Sequence, residues 1–467
     1  MAAADLASPM PGQASRDRRA AMLLVALGLA VATQTGLALG HGSSPGAARD
    51  AWPVALTLCL ALSLPTTAVL WAIWAARDLP AGWRMGLVIA AAGVLMRAPY
   101  FGAGPMLEDD HYRFLLDGAM AARGLSPYAH SPEALLRGVP GAPPELVEAG
   151  RSAIGLINFP ELRSMYPGGA QALFAFAHIL APWSIDGLRV VVLLMEALTA
   201  ALIWQALTAT GRPPLFVALY WCNPLMAFCL TGQAHVDAAL APAILAALFA
   251  VQRQAAVLAG FCLALAAGVK LWPILLAPLL ARALWPDRRA LASFALALGL
   301  TTLALCGPLM WASLAAQSGL TAYAGGWSVN NGPYAWASWL FLHLIGPGSG
   351  EAVLRALVVA MAAAASLLIA ARRAEGLNEL IGRAALLAAA LFYLSPAQFP
   401  WYAAWFLPLA AASGRLALAG AAVGLPVYYL FFPLALAGQR DIHGYGLAFL
   451  HLAPVIILAL IARRAPA

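Results

Sequence analysis

Three consecutive acids, Glu108, Asp109 and Asp110, stand just ahead of Arg113 and Asp117 in a chain that is otherwise poor in charge. Adjacent carboxylates beside an arginine are the residue types of a proton-abstracting base next to an anion-binding cation. The same spacing also suits a plain aspartate helix cap with a surface ion pair. If a helix begins after the triplet, Asp109, Arg113 and Asp117 share a face at i, i+4, i+8. Asp110, Arg113 and Asp117 then also meet, at i, i+3, i+7.

Two further sites carry chemistry. In Gln233-Ala234-His235-Val236-Asp237 the histidine and aspartate either cap a helix start or hold hydroxyls and phosphate. Lys270 is the single lysine of the chain and lies inside an apolar region, between two short halves broken at Trp272-Pro273. A lysine there either snorkels to the headgroups or offers a compact charge to a phosphate at a broken helix. Trp327, Tyr334, Trp336, Trp339, Trp401, Tyr402 and Trp405 form an aromatic belt by default, and some are placed to stack on a sugar. The five cysteines stand singly in apolar segments, away from metal or redox spacing, and the sequence predicts no metal site.

The elements that must position these residues are membrane helices. Hydrophobic residues make up 63% of the 467 and charged ones only 10%, with a mean hydropathy of +0.80, which excludes an ordinary soluble domain. The apolar runs have helical length and lack the alternation of a membrane barrel, so the fold class is an all-α polytopic membrane protein. The net charge of +7 comes largely from arginines between those runs, where it orients the chain rather than binding nucleic acid. Threading by charge gives about 14 spans with both ends cytoplasmic. Residues 1–467 read as one integral domain, with 1–19 a cytoplasmic tail, 100–187 a first large outer loop and 311–350 a second. Segments 168–182 and 334–345 read as interfacial helices of those loops. On this threading the acidic triplet, 233–237, Lys270, Asn330-Asn331, 398–402 and 440–443 all fall on the outer face.

The stretch EDDHYRFLLDG, followed by Gly-Leu-Ser-Pro-Tyr at 124–128, resembles the first outer loop of polyprenyl-phosphate-mannose-dependent mannosyltransferases of the GT-C class. Asn158-Phe159-Pro160-Glu161 with Tyr166-Pro167, the 232–237 segment, Gly268–Pro273 and Pro400–Trp405 resemble further motifs of that class, in the same order. Phe114, Leu116, Gly168-Gly169 and Val236 depart from its usual pattern. The resemblance implies a GT-C-like helical bundle, a polyprenyl-phosphate sugar as donor, inverting transfer and no separate cofactor. It also implies that Asp109 is the base.

The expectation is therefore a multi-pass hexosyltransferase of the cytoplasmic membrane, acting outward. It would move a hexose, mannose by resemblance, onto a glycan or glycolipid hydroxyl. Asp109 and Asp110 are the catalytic candidates, and Arg113, Lys270 and His235 those for the donor phosphate. Asp117, Asp237, Tyr128, Tyr166, Trp401 and Tyr402 are the substrate-binding candidates. Its partners would be the lipid-linked donor, the acceptor and membrane lipid, with no nucleic acid. The competing reading, a transporter or lipid flippase, calls for ionisable groups at the membrane midplane and usually a repeated architecture. Here the charges gather at one surface and no repeat is visible.

Overall fold

The structure is a computed structural model that describes residues 13–40, 52–79, 82–104 and 108–464. Residues 1–12 of the expected tail lie outside the described residues. Among those described, helix is the regular secondary structure, accompanied by one isolated bridge between Val329 and Ala397. In a bilayer core each backbone group must be satisfied within its own segment, and runs of Leu, Ala and Val do this as helices.

Among the described residues eight helices are long and apolar enough to cross a membrane, or nine if the bent pair Pro214–Trp221 and Pro224–Gly232 is one span. Shorter apolar helices lie at Gly168–Leu180, Val236–Gln252, Ala256–Ala267 and Trp272–Leu284. A count of 14 is reached only if short pieces cross as well. The fold is thus a polytopic helical bundle.

Its centre is the bent pair, buried along nearly its whole length. Pro224 removes a backbone donor and forces the break. Asn223 repairs the new helix end, its side-chain oxygen accepting from the backbone N–H of Leu225 at 3.0 Å and of Met226 at 3.2 Å. The chain continues as a π-helical turn, Ala227–Gly232, and reverses at Ala234, which has a φ of 61°. A left-handed alanine costs of order 1 kcal/mol and is held only where its surroundings determine it.

One buried ion pair supplies much of that determination. Arg97, at the end of helix Trp83–Arg97, meets Glu196 of helix Ile185–Ala209 through two contacts, Nε–Oε2 at 3.0 Å and Nη2–Oε1 at 2.5 Å. Both side chains are fully buried. The Thr231 hydroxyl donates to Glu196 at 2.5 Å, and Arg97 donates to the Trp221 carbonyl at 2.8 Å. The guanidinium also lies 4.3 Å from the centroid of the Trp221 ring. Two outer helices and both halves of the bent pair are thereby fixed to one another.

Arg97→Met should strand the Glu196 carboxylate and lower stability by about 3–5 kcal/mol. Arg97→Met combined with Glu196→Leu should regain most of that loss. The midpoint of thermal unfolding in detergent reads both, and an unshifted midpoint in the single variant would show that the pair fixes nothing.

Candidate active site

The acidic triplet, the 233–237 turn, Lys270 and residues 399–402 converge on one cavity of about 210 Å³. Helix Asp110–Ala121 begins immediately after Asp109, which occupies the cap position with φ −116° and ψ 0° and makes no side-chain cap bond. Gly118 lets this helix lie against Gly168–Leu180, since a Cβ there would come within 2.3 Å of the Phe174 carbonyl oxygen. Glu108, Asp109 and Asp110 all line the cavity.

Arg189 ties the two polar segments together. Its fully buried guanidinium donates to the Ala103 carbonyl at 2.7 Å, ahead of the triplet, and to the Gly232 carbonyl at 3.0 Å, ahead of the turn. Asp186 supports it at 2.9 Å and accepts from the Gly102 N–H at 3.1 Å. This residue was not singled out in the sequence, because an arginine near a predicted span end reads as a topology marker.

On the opposite wall Asp237 organises a cation and two rings. Its Oδ1 accepts from Lys270 Nζ at 2.7 Å and from Trp405 Nε1 at 2.9 Å. The ammonium also sits 3.7 Å from the Tyr402 ring centroid, and the Tyr402 hydroxyl pairs with that of Tyr323 at 2.8 Å. The expected break is present here: helix Ala256–Ala267 ends, and the chain resumes as a 3-10 turn at Trp272–Leu276. His235 stacks on Trp401 with centroids 4.0 Å apart, and Trp401 stacks in turn on Phe399 at 4.4 Å. Trp401 is thus covered on both faces, and the stack forms one wall of the cavity.

A second, mainly apolar groove of about 340 Å³ joins the cavity where Tyr166, Lys270, Tyr323, Trp327 and Tyr402 line both. It continues over Leu271, Leu320, Val358 and Val359. Lys270 therefore stands in the wall that the polar cavity and the apolar groove share.

Several predicted residues are engaged otherwise. Arg113 lines the cavity, but its guanidinium donates to the carbonyls of Leu162 at 3.0 Å, Phe159 at 3.2 Å and Asn158 at 3.4 Å. Asp117 lies outside the cavity, fully buried, accepting from the Ser164 hydroxyl and from Gln171 Nε2 at 3.0 Å. Burial raises its carboxyl above the ordinary range, while Arg113 and these two donors pull the other way. Tyr128 also lies outside it, donating to the Tyr166 carbonyl at 2.7 Å. His111, beside the triplet, is pushed down to about 4 by burial and by the Arg189 charge, so it is neutral at physiological pH. Tyr323, Tyr428 and Arg163 join the lining without any motif having marked them.

Residues 165–396, just under half of the chain, match the family model of glycosyltransferase family 87. This is a GT-C-type family of membrane glycosyltransferases, and the match implies glycosyltransferase activity. It takes in His235, Asp237 and Lys270, and leaves the acidic triplet, Trp401 and Tyr402 outside. No curated protein and no solved structure matches the chain.

Lys270→Met should lower the rate of transfer by about 10²–10³-fold, the usual loss when one preorganised donor is removed from a site of developing charge. Lys270→Arg should recover part of it, its planar fork being a poor replacement for a compact ammonium. Wild-type kinetics in the methionine variant would take Lys270 out of the site.

Proposed function

We propose that this cavity transfers a hexose, by resemblance mannose, from a polyprenyl-phosphate sugar to a hydroxyl of a glycan or glycolipid. The observation that carries the reading is the junction at Lys270. An apolar groove and a polar cavity meet there at one ammonium, which is the shape of a lipid phosphate with a sugar beyond it. The acids of the triplet line the same polar cavity.

In the proposed step Asp109 takes the proton of the acceptor hydroxyl as its oxygen attacks the anomeric carbon. The bond from that carbon to the phosphate oxygen breaks on the opposite face, and the configuration inverts. The electron pair leaves with the polyprenyl phosphate, whose growing negative charge Lys270 stabilises. The stacked rings of His235 and Trp401 wall the space for the sugar, and Tyr402 and Tyr166 border the phosphate end. Arg113 acts at one remove: by gathering the carbonyls of 158–162 it shapes the wall facing the triplet.

Asp109 is the better base on position. It precedes the helix, whereas Asp110 is committed to the first helical turn. Asp109→Asn should cut kcat by about 10²–10⁴-fold with donor binding intact, since the amide keeps the shape and loses the basicity. Asp110→Asn should be milder. The reverse order of severity would move the base by one residue.

The proposed orientation places 100–187 outside the cytoplasmic membrane. A cysteine replacing the exposed Arg137 should then react with an impermeant thiol reagent on intact cells. Protection in intact cells with labelling after lysis would reverse the orientation.

A further inference from the structure

Three cations line the cavity, and two of them are already occupied. Lys270 is paired with Asp237 at 2.7 Å, and Arg113 is turned onto three backbone carbonyls. Arg163 is different. Among the described residues its side chain makes no ion pair and no hydrogen bond, and its Nε is buried without a partner. Withdrawing part of a guanidinium from water with no compensating acceptor is costly. The Nη groups, which are not buried in this way, make no hydrogen bond among the described residues and can take an acceptor from a ligand at the cavity wall.

The backbone beneath Arg163 is rigidly placed. Its N–H donates to the Gln317 carbonyl at 3.0 Å, and its own carbonyl faces Gly319 so closely that a Cβ there would lie 2.3 Å away. The side chain is thus delivered from a fixed point between two spaces. One is the cavity already described. The other is a separate hollow of about 330 Å³, which Arg163 shares with Ser126, Tyr128 and Trp311. Arg163 is absent from the lining of the apolar groove at Lys270.

That placement separates the charges by substrate. On the proposed reading the phosphate of a lipid-borne donor sits at Lys270, the cation common to the apolar groove and the cavity. A guanidinium between the cavity and a different hollow faces whatever approaches from the other side, namely the acceptor. We infer that Arg163 binds an anionic group, phosphate or carboxylate, borne by the acceptor, with the hollow at Ser126 and Tyr128 holding the part of the acceptor beyond it. Guanidinium suits either anion through paired N–H donors. The inference rests on reading the cavity as a transferase site, and it names the acceptor's charge, which that reading leaves open.

Binding and turnover test it separately. Saturation-transfer NMR on the purified full chain would compare glucose 6-phosphate, glucuronate and uncharged methyl glucoside. At least one charged sugar should bind at least about ten-fold tighter than the glucoside, the worth of one charge-assisted hydrogen bond. Arg163→Gln should abolish the preference, and Arg163→Lys should retain part of it. The preference should persist in Asp109→Asn, so a failure of the proposed chemistry would not hide it. Nanodiscs of phosphatidylinositol and of phosphatidylcholine separate the sources of the anion. Displacement of glucose 6-phosphate by the former alone assigns the group to a lipid headgroup, and no displacement assigns it to a soluble or glycan-borne anion. With a polyprenyl-phosphate sugar and any accepted substrate, Arg163→Gln should raise the acceptor's KM and leave the donor's unchanged. Equal binding of charged and uncharged sugars, survival of the preference in Arg163→Gln, or a rise in the donor's KM alone would each overturn the inference.

Discussion

A carboxylate and a guanidinium enclosed in an apolar bundle have to find one another, and the Arg97–Glu196 pair settles where the broken central helix can lie. With Thr231 on the carboxylate and the Trp221 carbonyl on the guanidinium, both halves of the bent pair are bound to the same two charges. The turn at Ala234 follows from that anchorage, because the π-helical segment ends at Gly232 with its direction already set. Arg189 then joins the Gly232 carbonyl to the Ala103 carbonyl. Two buried arginines thus link the interior of the bundle to the spacing between triplet and turn. Buried ion pairs are poor sources of net stability, but they are intolerant of displacement, and here that intolerance is what fixes geometry.

The charges around the cavity fall into two kinds. Arg113, Asp117 and Arg189 spend their hydrogen-bonding capacity on the protein itself, and they hold loops. Lys270 and Arg163 stand at openings, one at the apolar groove and one at the hollow beside Tyr128. An ammonium beside an apolar groove would be costly alone. Asp237 offsets the cost, and Trp405 and Tyr402 hold both partners in register. A phosphate bound there as proposed would meet an already oriented charge, which is the condition under which electrostatic stabilisation is most effective.

Much of this was legible in the chain. Apolar runs predicted a helical membrane protein, and the polar segments at 108–110, 233–237, 270 and 398–402 were expected on one side. These four reach one cavity, because short apolar pieces separated by Pro and polar residues can end only at a surface or a cavity, while Asn330-Asn331 and 440–443, expected on the same side, are not part of its lining. Helix onset after Asp109 was likewise readable from the acids preceding an apolar period. Partner choice was not. Asp117 faces Ser164 and Gln171, and Arg113 faces carbonyls near Phe159, some 45 residues away, since a long loop folds back over their helix. Tyr128 was drawn off in the same way by the Tyr166 carbonyl. Spacing within one helix fixes which side chains share a face and says nothing of what later packs on that face. Arg97 and Glu196 passed unnoticed because single charges inside apolar runs look like tolerated exceptions until their partners are seen.

The arrangement also explains why so hydrophobic a chain is broken so often near its polar end. An unbroken span satisfies its own backbone and has nothing to offer a substrate. Each interruption near the cavity, at Asn223-Pro224, at Gly232–Ala234 and at Trp272-Pro273, releases backbone from the helix and turns side chains toward the opening. Some of the resulting polar groups are paired on the spot: Asn223 caps its own helix, and Asp237 takes both Lys270 and Trp405. Lys270 is thus held in place by the protein itself, whereas Arg163, between the cavity and the hollow beside Tyr128, is the cation that the inference above leaves to the acceptor.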